Sequence, residues 1–85
     1  MILLSNDASK QAIEFFIKRG DLAAETADHH VHDNEFSKGM KLYQQAYGFY
    51  KKALQNLPDD ESLKQKIEDV RGKYQNAKEK NKLNV

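Results

Sequence analysis

Phe36, Met40, Tyr43, Tyr47, Tyr50, Leu54 and Leu57 recur at alternating steps of four and three, which narrows the fold of this 85-residue chain more than any other feature. At helical periodicity that spacing puts large apolar and aromatic groups on one stripe. A second row beside it, Gly39, Tyr43, Ala46, Tyr50 and Ala53, carries smaller side chains. Tyrosine bodies set against glycine and alanine gaps make a surface on which two other helices can pack. Pro58 ends the helix, because it lacks an amide donor and disfavours the α conformation of Leu57.

Two further segments share the stepping. Ile13, Phe16, Ile17, Gly20, Ala24, Ala27 and Val31 mark a first helix, with Phe15 and Leu22 widening its stripe. Ser5 and Asp7 are suitable N-caps, so this helix is expected to run from about Ala8 to His32. Met1 to Leu4 would fold back on it as a staple or fray. Lys18-Arg19-Gly20-Asp21 also reads as a stop and restart, but the stepping continues past it, so one long helix, straight or bent at Gly20, is expected over a break into two. Asp33 or Asn34 is expected to cap the second helix, residues 35–57. Asp59, Asp60 and Glu61 suit the start of a third, residues 60–79, with the stripe Leu63, Ile67, Val70, Tyr74 and Ala77 and a fraying tail.

Three one-sided stripes with short connections imply an all-α, three-helix antiparallel bundle forming a single domain. The expected core is Ile13, Phe16, Ala27, Tyr43, Tyr47, Tyr50, Leu54, Ile67, Val70 and Tyr74. Sparse β-branched residues and a single proline agree with this class.

The formal charge of +1 does not favour nucleic acid or an anionic membrane as the main partner. Cysteine is absent, which removes disulfides, thiolate nucleophiles and cysteine-based zinc sites. No apolar run approaches a membrane span, and the first four residues are too few for a signal core, so a cytoplasmic monomer without membrane insertion is the expectation. Carboxylates lead in the first half and lysines in the third helix. Antiparallel packing would let the two faces attract; a basic strip for an acidic partner is the sharper alternative, weakened by Glu68, Asp69 and Glu79.

Catalytic patterns are lacking. No serine or threonine sits in a strand-turn-helix context and no glycine-rich loop could cradle phosphate, so no enzyme activity and no cofactor are expected. The one metal-like spacing is Glu25, His29 and His32 or Asp33, which share a helical face. No fourth ligand can be assigned, and the plainer reading is a solvent-exposed, partly acidic helix end. Gly39, Gly48 and Gly72 lie in helical patterns, where they mark either close contacts or tolerated positions.

The second helix carries two resemblances. Tyr43, Ala46, Tyr50 and Ala53 with Pro58-Asp59-Asp60 resemble the second helix and exit turn of a tetratricopeptide repeat, a unit of about 34 residues that stacks in arrays. Only one such match is present. Phe36, Met40-Lys41-Leu42-Tyr43-Gln44-Gln45-Ala46, Tyr50 and Ala53-Leu54 are similar to helix two of MIT domains, the microtubule-interacting and trafficking modules. In unbroken register, Ile67, Tyr74 and Glu79 match the isoleucine, tyrosine and glutamate of the family's third helix. Lys10-Gln11-Ala12-Ile13-Glu14 resembles the start of its first helix, given about two extra helical turns before Phe36.

The MIT resemblance implies a three-helix bundle related to one tetratricopeptide unit. It implies a protein-binding module, recruited to endosomal membranes, that takes short C-terminal motifs of ESCRT filament subunits. The groove between helices two and three would receive an amphipathic helix, and that between one and three an extended segment. Carried over by position, the peptide-binding residues would be Arg71, Gln75, Lys78 and Glu79, with Glu79 pairing a basic partner residue. Gln75 stands where the family often has leucine, and Ala77-Lys78 replaces an arginine-alanine pair. A tetratricopeptide-like adaptor or a self-associating structural protein is the alternative.

Overall fold

The computed structural model describes residues 2–83, with side chains from Lys10 onward. Three helices follow in order: α1 (Ile2–His32), α2 (Phe36–Asn56) and α3 (Glu61–Leu83). The Cα envelope measures 55 × 19 × 14 Å, a rod one long helix in length. No strand occurs among the described residues.

Helix α1 is continuous through Gly20, without the break that the Lys-Arg-Gly-Asp run allowed. It begins at Ile2, so Ser5 and Asp7 lie inside the helix rather than capping it. The proposed staple of Met1 to Leu4 lies outside the described side chains.

The turn into α2 corrects a second expectation. Asn34 does not cap α2. It adopts φ 64°, the left-handed conformation that Asn tolerates better than most residues. The Asn34 amide donates to the Val31 carbonyl and the Glu35 amide to the His30 carbonyl, at 2.9 and 2.8 Å. That pairing is a Schellman closure of α1, so the asparagine serves the helix behind it. Glu35 occupies the N-cap of α2, but its side chain makes no capping bond. It accepts instead from the His30 Nδ1 at 2.7 Å and from Lys38 at 3.5 Å. The His30 hydrogen bond, then the Lys38 charge, hold its carboxyl below the usual glutamate range.

At the other turn the Leu57 amide donates to the carbonyls of Ala53 and Leu54, and Pro58 follows. Asp60 caps α3: its Oδ1 accepts from the Leu63 amide at 2.9 Å. The tail expected to fray after Glu79 stays helical to Leu83, with Lys82 within 3.9 Å of Glu79 one turn back.

The centre of the bundle differs from the expected core. On α2 the smaller row is innermost: Ala46 and Ala53 are fully buried and Tyr43 and Tyr50 nearly so. Met40, Tyr47 and Leu54, from the larger row, are only half-buried, and Leu57 is exposed. Ile13, Phe16 and Tyr74 are likewise peripheral. Ala23, Phe36, Leu63 and Ala77 are buried instead, alongside Ala27, Ile67 and Val70.

Close approach of α1 and α2 explains the reversal. A methyl group added at Gly20 would stand 2.5 Å from the Tyr50 ring, and one at Gly39 would stand 2.5 Å from Val31 and 3.3 Å from the Ala27 carbonyl. With those positions empty, the helices meet through small residues, and bulk is displaced to the edges. The same methyl at Gly48 or Gly72 would meet nothing within 4 Å.

Candidate groove between the second and third helices

Two polar chains cross the bundle, and one of them includes Tyr43, a wall residue of the candidate site. Tyr50 Oη donates to Asp21 Oδ1 at 2.6 Å, and Lys66 Nζ lies 2.9 Å from the same oxygen. One heptad away, Tyr43 Oη donates to Asp28 Oδ1 at 2.5 Å, and Lys73 Nζ binds both Asp28 oxygens at 3.1 and 3.2 Å. Each chain runs α2–α1–α3. The lysines stand 45 residues from their aspartates in both, so α1 and α3 are parallel. The tyrosine separations fall from 29 to 15, so α1 and α2 are antiparallel. The expected attraction between acidic and basic helices is therefore present, but it joins two parallel helices.

These bonds satisfy the tyrosine hydroxyls without exposing the rings. Burial, then the aspartate acceptors, push both phenols well above the ordinary tyrosine range. No buried side-chain nitrogen or oxygen is unpaired among the described residues. The lysine–aspartate contacts are half-exposed, and each contributes about 0–1 kcal/mol. Their main consequence is orientation: the hydroxyls of Tyr43 and Tyr50 are tied to α1 aspartates that α3 lysines also reach, and the Tyr43 ring still borders α3.

There the packing opens into a groove of about 450 Å³. Its walls are Tyr43, Gln44 and Tyr47 from α2 and Val70, Arg71, Gly72, Tyr74 and Gln75 from α3. Tyr47 and Tyr74 are half-buried, so their rings offer apolar faces to the opening. Gln44 Nε2 reaches the Tyr74 hydroxyl at 3.4 Å across it. Gly72 adds no side chain to the α3 wall, and the space beside it is open.

Arg71 and Gln75, two of the four positions expected to bind peptide, are in this wall. Lys78 and Glu79 are not. They lie beyond it toward the end of α3, and Glu79 is exposed beside Lys82. Gln44 escaped the sequence reading because nothing in its local pattern distinguishes it from other exposed polar positions. Tyr47 and Tyr74 were assigned to the core on helical spacing that a groove-lining ring shares.

The histidines do not assemble a ligand set. His30 pairs with Glu35, and His32 Nδ1 lies 3.5 Å from Asp33. Glu25, His29 and His32 are not brought together, and no group of three potential ligands converges among the described residues. No described helix is long and apolar enough to cross a membrane.

No family model, curated protein or solved structure matches this chain at a significant level.

Proposed function

We propose that the chain is a protein-interaction module, not an enzyme, and that the α2–α3 groove receives one face of an amphipathic helix. The observation that carries this reading is the groove itself. Its volume of about 450 Å³ falls in the range of ligand sites, and its walls combine tyrosine faces and Val70 with a few polar groups. Rigid aromatic walls suit apolar anchors at helical spacing, while Gln44, Arg71 and Gln75 can meet polar groups at the rim. The MIT resemblance supplies a partner class: C-terminal tails of ESCRT filament subunits, met by a cytoplasmic module at endosomal membranes.

The test is calorimetric titration with such tail peptides, using the wild type and Gly72→Leu. The new side chain enters open space in the wall, so folding is expected to be retained. Binding is expected to fall by roughly tenfold or more as the groove is filled. Equal affinity for the two proteins would remove the groove from the site, and no binding of any tail by the wild type would overturn the ESCRT assignment. Glu79→Lys reports whether the partner extends beyond Gln75. If Glu79 pairs a basic partner residue, affinity falls by about 1–3 kcal/mol. Light scattering on the free chain is expected to show a monomer.

A further inference from the structure

The outer face of α1 and α2, away from α3, carries the largest apolar side chains that the bundle leaves uncovered in its middle section. Phe15 is 54% exposed and Leu22 is 58% exposed, one heptad apart on α1. The Arg19 guanidinium lies 5.6 Å from the Phe15 ring centre and 5.9 Å from that of Phe49, bridging the two helices. Lys52 Nζ sits 5.5 Å from the Phe16 ring. Neither cation forms an ion pair among the described residues.

Lys38 is paired with Glu35, and Lys51 stands over the groove-lining Tyr47 ring. Helix α2 has no carboxylate, which leaves Arg19 and Lys52 as the cations held against the rings of this face. The α1 aspartates that could balance them, Asp21 and Asp28, are engaged by Lys66 and Lys73 of α3. Glu14 and Glu25 lie about a quarter turn around α1 from Phe15 and Leu22, on the side away from α2. What remains is an apolar strip with Arg19 and Lys52 held against aromatic rings on its α2 side, and with Glu14 and Glu25 on the far side.

We propose that this face is a second docking surface, for an acidic amphipathic helix of a protein partner. Leucine-like anchors would cover Phe15, Leu22 and Phe49, and carboxylates on the partner's flanks would meet Arg19 and Lys52. A second copy of the chain is a poor occupant, because face-to-face contact would oppose Arg19 and Lys52 with the same cations. The surface is independent of the α2–α3 groove and prefers partners of the opposite charge to a basic group sought by Glu79.

The experiment is a titration of the isotope-labelled full chain, followed by NMR, with a synthetic helix bearing Leu at i, i+3, i+4 and i+7 and Glu on its remaining face. The expected result is saturable shifts centred on Phe15, Arg19, Leu22, Phe49 and Lys52. Affinity is expected to fall roughly tenfold in Arg19→Glu/Lys52→Glu, whose positions are exposed, and to be retained in Gly72→Leu. Circular dichroism checks that the charge-reversed chain keeps its helices. Absence of saturable shifts, equal affinity for a Lys-bearing peptide, or indifference to the charge reversal would overturn the proposal. So would a response confined to phosphatidylserine vesicles. Retained binding in Gly72→Leu separates this surface from the α2–α3 groove, whose own test uses different peptides.

Discussion

Gly20 and Gly39 meet the neighbouring helix across the α1–α2 seam, whereas Gly48 and Gly72 have empty space where a side chain would be. The same residue type thus has two consequences in one small bundle. In the first seam the missing side chain lets Tyr50 and Val31 seat against a backbone. In the second, Gly72 leaves a gap that enlarges the groove beside Tyr47 and Tyr74. The difference arises from α2, which directs its alanines and tyrosine hydroxyls toward α1 and its tyrosine edges toward α3. A closed seam supplies rigidity, and an open one supplies surface for a partner.

The comparison can be broken most severely at the attachment of α3. Leu63 is 1% exposed and is the largest fully buried side chain among the described residues. Leu63→Ala is expected to cost about 2–5 kcal/mol in urea unfolding. A cost under about 0.5 kcal/mol would mean that α3 is held mainly by its lysines, and the lysine–aspartate contacts would then need a larger role than exposed pairs have.

The closed seam is sharpened by its tyrosines. Each Tyr–Asp bond has an ionised acceptor, so Tyr50→Phe is expected to cost about 1–3 kcal/mol, with Asp21 keeping Lys66. A pH dependence follows. Both phenols have folded-state values raised above the ordinary value of 10.0. Below pH 10 the tyrosines are protonated in both states and the stabilisation is complete. Above it the unfolded chain loses protons that the folded chain retains, so stability falls as pH rises. Phenolate absorbance should show Tyr43 and Tyr50 ionising only with loss of helical signal. Ionisation of all four tyrosines in a folded protein near pH 10 would contradict these bonds.

At the turn that sets the α1–α2 register, Asn34→Ala keeps a β-carbon in left-handed backbone but removes the short polar side chain that makes it tolerable there, and should cost about 1 kcal/mol. Asn34→Gly should be tolerated. An equal effect of the two replacements in thermal melts would show that the side chain, not the conformation, matters there.

Helix number and type were legible because each stripe keeps a step of four and three over several turns. The inner face of α2 was not. Its two candidate rows share Tyr43 and Tyr50, and the sequence cannot show whether neighbours approach over alanine or over Met40, Tyr47 and Leu54. Gly20 was ambiguous for a related reason: it suits a helix stop, yet contact with Tyr50 gives it a place inside a helix. Asn34 had the composition of a cap for either adjoining helix, and only its φ value assigns it to α1. Within the groove, Arg71 and Gln75 were reachable through positional resemblance. Gln44 and Gly72 acquire their places from α2–α3 spacing, which no local pattern encodes.

The asymmetry of the two seams is tested most directly by one paired measurement, urea unfolding of Gly20→Ala and Gly72→Ala against wild type. At Gly20 the added methyl collides with the Tyr50 ring, and the expected loss is about 1–3 kcal/mol. At Gly72 it enters open space in a helix, and the expected change is a gain of about 0.5–1 kcal/mol. Opposite signs support one closed and one open seam. A gain at Gly20, or a loss of more than about 1 kcal/mol at Gly72, would contradict it.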